Sequence, residues 1–306
     1  MEKLLKEEFG CDNVQPAGGA GGGCISSGSA YLIDGEKVFV KQNPSLGSRI
    51  MFDGEYASLE KLHKCNIVRV PKPIKVFGRG DESYFVMEYL NINSLSKQAS
   101  SLGEKMARLH LHNKQLKVAS EKDASYVGRA TECVIKFGFH ITTCCGFIPM
   151  NNDWKEDWVQ FYACNRLQPQ INMVLEKYRD RDALNLWPQV ERNLPKLFPS
   201  TLEIVPALLH GDLWGGNAGE VESEACIFDP ACSYGHSEFD LAISHMFGGF
   251  PSAYFSCYHK LIPKEPGFEK RLKLYKLFHY LNHWNHFGSG YKSTSMSLMQ
   301  DIANLK

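Results

Sequence analysis

One stretch constrains this chain more than any other: Leu208-Leu209-His210-Gly211-Asp212-Leu213-Trp214-Gly215-Gly216-Asn217, followed by Ile227-Phe228-Asp229-Pro230. It reads as a loop between two buried apolar runs, with Cys226-Ile227-Phe228 a short strand that delivers Asp229 at its end. The pattern is His-x-Asp, an Asn five residues after that Asp, and a further Asp beyond the strand. Phosphoryl transfer from ATP needs these groups: one carboxylate to accept or orient the attacking hydroxyl, and an amide oxygen with a second carboxylate to hold magnesium against the phosphates. Asp212 is therefore the candidate base, and Asn217 and Asp229 are the candidate magnesium ligands. Mg²⁺ prefers oxygen donors and keeps several waters, so two protein ligands plus phosphates suffice. His210 is expected to brace the loop. The plainer alternative is an acidic surface loop.

The 306 residues carry no net charge and are 43% hydrophobic, which suits one large or two modest globular domains. Neutral balance argues against nucleic acid, which usually requires a basic face, and against docking on acidic membranes. The charged start, Met1-Glu2-Lys3-Leu4-Leu5-Lys6, lacks the apolar core of a secretory signal. No apolar run approaches the ~20 residues of a membrane span. None of the ten cysteines falls in Cys-x-x-Cys spacing. Reduced thiols in a cytoplasmic setting are expected, most of them small core residues.

Residues 15–43 read as a three-strand meander. Gly18-Gly19-Ala20-Gly21-Gly22-Gly23 forms its first turn and Asp34-Gly35 its second. Lys41 ends the third strand on the same face as Phe39, opposite Val38 and Val40. Residues 49–64 show a helical stripe of Met51, Phe52, Tyr56, Leu59 and Leu62, with Glu55 beside it. A second hairpin runs from Ile74 to Leu90. Beyond it, helices are expected at 94–112, around Trp154, Trp158, Phe161 and Tyr162, at 168–178, 182–191 and 271–287. Ser237-Glu238-Phe239-Asp240 has the look of a capping box. Residues 117–130 read as a mobile surface segment. The expected organisation is α+β and bilobal: a β-rich N-lobe at 1–90 that clamps nucleotide, and a helical C-lobe at 91–306 that carries catalysis and substrate.

The glycine turn lets backbone N–H groups approach phosphates, which makes Gly22 and Gly23 candidates for nucleotide contact. It fits neither Gly-x-Gly-x-x-Gly nor a Walker A loop, and a purely structural hairpin would also explain it. Its weight comes from order: glycine turn, strand, Lys41, helix with Glu55, hinge strand. An inward lysine on an apolar strand needs an anion. Lys41 is expected to pair with phosphate oxygens, and Glu55 to hold that lysine; Glu60 is the rival for the second role. Glu88, Tyr89 and Leu90 would serve adenine through main-chain atoms. Cys24 lies inside the glycine turn, where N–H groups and Lys41 favour a thiolate. It is a candidate redox residue, through a disulfide across two glycine turns, so the chain is expected to be a monomer or a redox-dependent homodimer.

At this point the chain resembles the kinase-like fold, in the aminoglycoside/choline-kinase branch with His-Gly-Asp. More closely it resembles the fructosamine-kinase family, the ketosamine 3-kinases, over essentially its whole length. The residues behind this are Gly22-Gly23-Cys24-Ile25-Ser26, Val38-Phe39-Val40-Lys41, Met51-Phe52-Asp53-Gly54-Glu55, Phe137-Gly138-Phe139, Thr143-Cys144-Cys145-Gly146, His210-Gly211-Asp212-Leu213-Trp214-Gly215-Gly216-Asn217, Tyr234-Gly235-His236-Ser237-Glu238 and Tyr280-Leu281-Asn282-His283-Trp284-Asn285-His286-Phe287-Gly288. The match is nearer the fructosamine-3-kinase-related branch.

The resemblance implies an aminoglycoside-phosphotransferase-like fold and ATP-dependent, magnesium-supported phosphorylation of the 3-hydroxyl of ketosamines. These are sugar adducts on glycated proteins or free amines. The phosphorylated product sheds the sugar and restores the amine, so the implied role is deglycation, a form of protein repair. Ribulosamines and psicosamines are implied substrates; fructosamine is left open between branches. Trp214, beside the base, is the candidate wall for the sugar's C–H face. His279, His283 and His286 fall near one helical face and invite a metal reading, but no His-Glu-x-x-His accompanies them. A polar wall of the sugar pocket, His283 foremost, is the alternative, with core packing for the others. Asp229-Pro230 stands where protein kinases have Asp-Phe-Gly, so control by an activation loop is not expected. The rival functions are another small-molecule kinase, for choline or an aminoglycoside, and a non-catalytic pseudokinase scaffold. A choline site would require a cation cage, whereas the Asn282 to Asn285 segment is neutral and aromatic.

Overall fold

The computed structural model describes residues 1–22, 27–123 and 133–305. Gly23 and Cys24 lie outside the described residues, as do positions 124–130 of the surface segment expected at 117–130.

Helix α1 (Glu2–Phe9) precedes five antiparallel strands: β1 (Val14–Gly22), β2 (Ser27–Ile33), β3 (Glu36–Asn43), β4 (Pro73–Arg79) and β5 (Glu82–Glu88). Their order across the sheet is β1-β2-β3-β5-β4. Asp34 and Gly35 both take positive φ, 50° and 91°, which matches the twist of a two-residue hairpin. Strand alternation then sorts the side chains. Val38, Val40, Tyr84 and Val86 pack with Leu5 of α1 on one face. Phe39, Phe85 and Met87 turn to the other, where they meet α2 (Ser48–Cys65) and a core that continues through the rest of the chain.

The rest is mostly helical: α3 (Ala99–Asp123), α4 (Trp158–Tyr162), a π-turn (Ala163–Leu167), α5 (Gln168–Tyr178), α6 (Arg181–Asn193), α7 (Glu238–Ser244), α8 (Ser252–Leu261), α9 (Phe268–Phe287) and α10 (Lys292–Ala303). Short strands interrupt it: β6 (Asn93–Ser94), β7 (Thr143–Cys145), β8 (Ile148–Met150), β9 (Ala207–Leu209), β10 (Ala218–Val221), β11 (Glu224–Ile227) and β12 (Ser233–Gly235). They pair as β11-β10-β6, β12-β9 and β7-β8. The β9-to-β12 run positions the site. Asp212 follows β9, Asn217 precedes β10, and Asp229 follows β11.

Four expectations are corrected. The helix placed at 94–112 begins at Ala99, because Ser94 pairs with Gly219 and the Glu220 carboxylate takes the N–H groups of Ser96 and Gln98, at 2.6 and 2.7 Å. The same helix runs on to Asp123, through the first half of the segment read as mobile. Trp154 is not on the helix with Trp158: Asp157 caps that helix by accepting from Gln160 N–H, and Trp154 stays 41% exposed before it. Ser237 makes no capping bond. The two acids of that motif have partners far along the chain instead: Asp240 serves the loop described below, and Glu238 pairs with Arg271.

Arg271 is fully buried, and its Nε and Nη2 donate to both Glu238 oxygens at 2.8 and 2.7 Å, tying α9 to α7. A bidentate, desolvated pair of this kind is costly to break from one side, because the surviving charge has nowhere to go. Glu238→Ala is expected to lower unfolding free energy by roughly 3–5 kcal/mol, read as a shifted urea midpoint at constant slope. An unshifted midpoint would remove the pair from the fold's supports.

Candidate active site

The loop after β9 is held from beneath by Asp240 on α7. This fully buried carboxylate accepts from His210 N–H at 2.7 Å and Gly211 N–H at 2.9 Å, and faces His110 Nε2 at 3.1 Å. Burial alone would raise its pKa, but His110 and the Gly211 amide outweigh that and hold it below the ordinary aspartate value. Gly211 sits at φ 86°, and an added Cβ would meet Ala231 O at 2.1 Å, so no side chain is tolerated in this grip. His210 is a brace. Its Nε2 donates to Phe228 O at 3.0 Å and its Nδ1 accepts from Asp212 N–H at 3.2 Å. That bonding requires the neutral ring, which burial also favours by lowering its pKa.

Asp212 is thereby turned into a cavity of about 390 Å³ together with Asn217, Asp229, Lys41, Glu55, Trp214 and His283. Asn217 donates its amide to Asp212 O and Oδ2 at 2.9 and 3.0 Å. With the nitrogen committed, the carbonyl oxygen is the atom left for a cation. Asp229 takes φ 57°, a left-handed conformation that aspartate tolerates better than most residues. It places Oδ1 2.6 Å from Lys41 Nζ, which lies 2.6 Å from Glu55 Oε1 on its other side. Glu60, the rival for that position, pairs with Lys64 on the exposed face of α2.

The electrostatics follow from crowding. Burial would lower the Lys41 pKa, but Asp229 and Glu55 reverse this and hold the ammonium charged. Burial pushes Glu55 up to about 7, with Lys41 opposing and Asp229 adding to the rise. At 2.6 Å from the lysine it remains half of an ion pair. Burial, and then the charge of Asp229, push Asp212 from 3.8 up to about 7. Lys41 is thus the cation set directly against this group of carboxylates.

Beyond Asp212 the cavity wall is aromatic. Trp214 is 36% exposed and meets Phe247 edge-on at 6.2 Å; Phe247 lies 4.7 Å from His283. His283 Nδ1 bonds its own helix at His279 O, 2.7 Å away, so Nε2 is the acceptor. His286 is used up on Asn282 O and on Phe147 N–H. His283 and His286 are thus tied to backbone, and the three histidines do not form a metal centre among themselves. On the hinge side, Glu88 and Tyr89 N–H groups bond Lys72 O and Lys37 O at 2.9 and 3.4 Å, while Arg69 and Lys72 N–H hold the Glu88 carboxylate. Gly22 lies opposite Ser27 at the tip of the β1–β2 ladder.

Sequence reasoning missed Asp240 and His110, the supports of the loop, and Cys145 and Phe247, which line the cavity. Asp240 was visible only as one member of an apparent cap; nothing local shows that its partners lie thirty residues upstream.

Because the folded pKa of Asp212 exceeds the unfolded one, the folded chain holds a proton that the unfolded chain releases, so stability falls as pH rises from 3.8 toward about 7. Asp212→Asn removes that penalty. Its melting temperature should exceed wild type by more at pH 8 than at pH 5, in nucleotide-free buffer. A gap independent of pH would mean Asp212 titrates normally.

A profile of the fructosamine kinase family matches residues 1–305. Mouse ketosamine-3-kinase is 54% identical over 309 aligned positions, covering 99% of this chain and all of the relative. Arabidopsis thaliana protein-ribulosamine 3-kinase, a chloroplastic protein, is 38% identical, covering all of this chain and 88% of the relative. Among solved structures, a Haemophilus somnus protein assigned as a fructosamine-3-kinase superposes with TM-score 0.78 at 26% identity, over 98% of this chain and 96% of that one. Aminoglycoside phosphotransferase APH(4)-Ia shares the fold at 14% identity, with TM-score 0.55 over 99% and 97% of the two chains. The expected α+β architecture, β-rich at its N-terminal end and helical beyond, is the one found.

Proposed function

The chain belongs to the fructosamine kinase family, and we propose that it transfers the γ-phosphoryl group of ATP to the 3-hydroxyl of ketosamines, leading to deglycation. It is a phosphotransferase with an alcohol acceptor. The observation that carries the reading is Lys41 Nζ, 2.6 Å from both Glu55 and Asp229, in one cavity with Asp212 and Asn217. That is the constellation phosphoryl transfer requires.

Asp212 orients the sugar hydroxyl and takes its proton, and its raised pKa suits it to that task near neutral pH. Asp229 and Asn217 offer hard oxygen donors and fit magnesium. Bound magnesium supplies charge neutralisation at the phosphates. Lys41 turns from Asp229 to phosphate oxygens while Glu55 keeps hold of it. Residues 1–90 clamp the nucleotide, with Gly22 at the tip of the β1–β2 ladder serving the phosphates; Gly23, its companion in this role, lies outside the described residues. Since the Glu88 and Tyr89 N–H groups are engaged, adenine is left with the Leu90 amide and the hinge carbonyls. Residues 91–306 hold the substrate, with Trp214 against the sugar's C–H face and His283 Nε2 accepting a hydroxyl. A phosphate on carbon 3 leaves more readily than hydroxide, so the product sheds its sugar and frees the amine. Ribulosamines and psicosamines on proteins or small amines are the substrates the reading favours, with fructosamine for direct comparison. Among the described residues no helix is long and apolar enough to cross a membrane, and all nine cysteines are free thiols. A cytoplasmic setting accords with those thiols. The redox homodimer rests on Cys24 alone, outside the described residues.

Purified protein with ATP and magnesium is expected to release ADP when given a ribulosamine of a lysine analogue, and not when given choline or an aminoglycoside. Asp212→Asn should lose about 10²–10⁴-fold in turnover with nucleotide affinity little changed. Lys41→Met should instead raise KM for ATP as well as lowering turnover. ADP release indifferent to the ketosamine, or near-normal turnover in Asp212→Asn, would overturn the assignment.

A further inference from the structure

Behind Asp212 lie two groups that phosphoryl transfer does not use, one lining the cavity and one buried beneath it. Cys145, at the end of β7, is 3% exposed, and His279, on α9, is fully buried. Ligand atoms of Cys145, Asp212 and His279 all lie within 4.8 Å of one another. Neither ring nitrogen of His279 has a hydrogen-bond partner among the described residues. Buried polar atoms are nearly always paired, so an imidazole orphaned at both nitrogens calls for a missing partner.

The sulfur is prepared in a particular way. Asn282 Nδ2 donates to Cys145 Sγ at 3.2 Å. Its orientation is not free: Gln170 Nε2 donates to Asn282 Oδ1 at 3.0 Å, and Asn285 Nδ2 donates to Gln170 Oε1 at 2.7 Å. The relay forces an N–H toward the sulfur. Burial, and then the charge of Asp212, hold the thiol well above its ordinary pKa, and this N–H opposes them, so it is the cation that must draw off the proton. Outer groups that orient ligands in this way typify metal sites. Burial also keeps His279 neutral, with its pKa pushed down to about 3, and neutral imidazole is the ligating form.

We propose that Cys145, Asp212 and His279 form a site for a soft divalent cation of the zinc class, and that filling it stops phosphoryl transfer. Thiolate, imidazole and carboxylate suit a tetrahedral ion with its fourth position open to the cavity, and thiolate excludes magnesium. Side chains must draw in by a fraction of an ångström to reach bonds of about 2.0–2.3 Å. On binding, the Cys145 S–H bond breaks, a metal–sulfur bond forms, and the proton passes to buffer; no electron moves. The ion takes the carboxylate that the sugar hydroxyl requires, so inhibition rests on the reading of Asp212 given under Proposed function. Binding does not.

The test uses Co²⁺ as a coloured substitute for Zn²⁺ on the full-length protein. One equivalent should give a thiolate-to-metal charge-transfer band with the strong visible absorption of a tetrahedral ion. Cys145→Ser should abolish the band, His279→Gln should weaken binding about 10-fold or more, and replacing the exposed Cys164 by Ser should leave the band intact. Melting curves establish that each variant is folded, and zinc should raise the melting temperature of wild type and not of Cys145→Ser. In parallel, metal-buffered zinc should inhibit ketosamine-dependent ADP release, reversed when the buffer lowers free zinc. No band in folded wild-type protein, or an equal band in Cys145→Ser, overturns the site and leaves a buried water as the partner of His279. A filled site with undiminished turnover overturns the inhibitory role. Absence of turnover without any zinc counts against the proposed function alone, since the spectrum needs no catalysis.

Discussion

The site depends on one buried carboxylate gripping two backbone N–H groups. Asp240 bonds the amides of His210 and Gly211 and is steadied by His110, itself bonded to Tyr258 at 2.7 Å. Hydrogen bonds to a charged acceptor in a dry interior are among the stronger polar contacts a protein makes. This one fixes the backbone just before Asp212. His210 then links that backbone to Phe228, next to Asp229, so the two acids from different strands share one frame.

Much of this was legible in the sequence because it is local. The hairpin at Asp34-Gly35, the stripe on α2 and the boundaries of α5 follow from turn chemistry and helical period. So does the direction of Lys41, since strand alternation with Val38 and Val40 leaves one face open to it. Glu55 could be preferred to Glu60 because it sits beside the apolar stripe, and its position against Lys41 bears that geometry out.

What escaped was non-local. Glu220 caps α3 from more than a hundred residues away, so no window around Ser94 could show where the helix starts. Asp240 and Glu238 lie in a motif that fits an ordinary helix cap, yet their partners are Gly211 and Arg271. Cys145 resembles any small core residue until Asn282, on α9, is brought against its sulfur. In each case a polar group was read against its chain neighbours, while the fold paired it elsewhere.

Lys41 touches both Glu55 and Asp229 at once, and that has a consequence for the order of events. In the resting protein the ammonium does the work of a counter-ion for Asp229. A bare divalent ion arriving alone would have to displace it and leave a like charge close by, so it gains little. An ion arriving already chelated by a triphosphate brings the anion to which the ammonium can move. On the proposed function the ammonium then faces an anion throughout, and metal and nucleotide would enter as a single species.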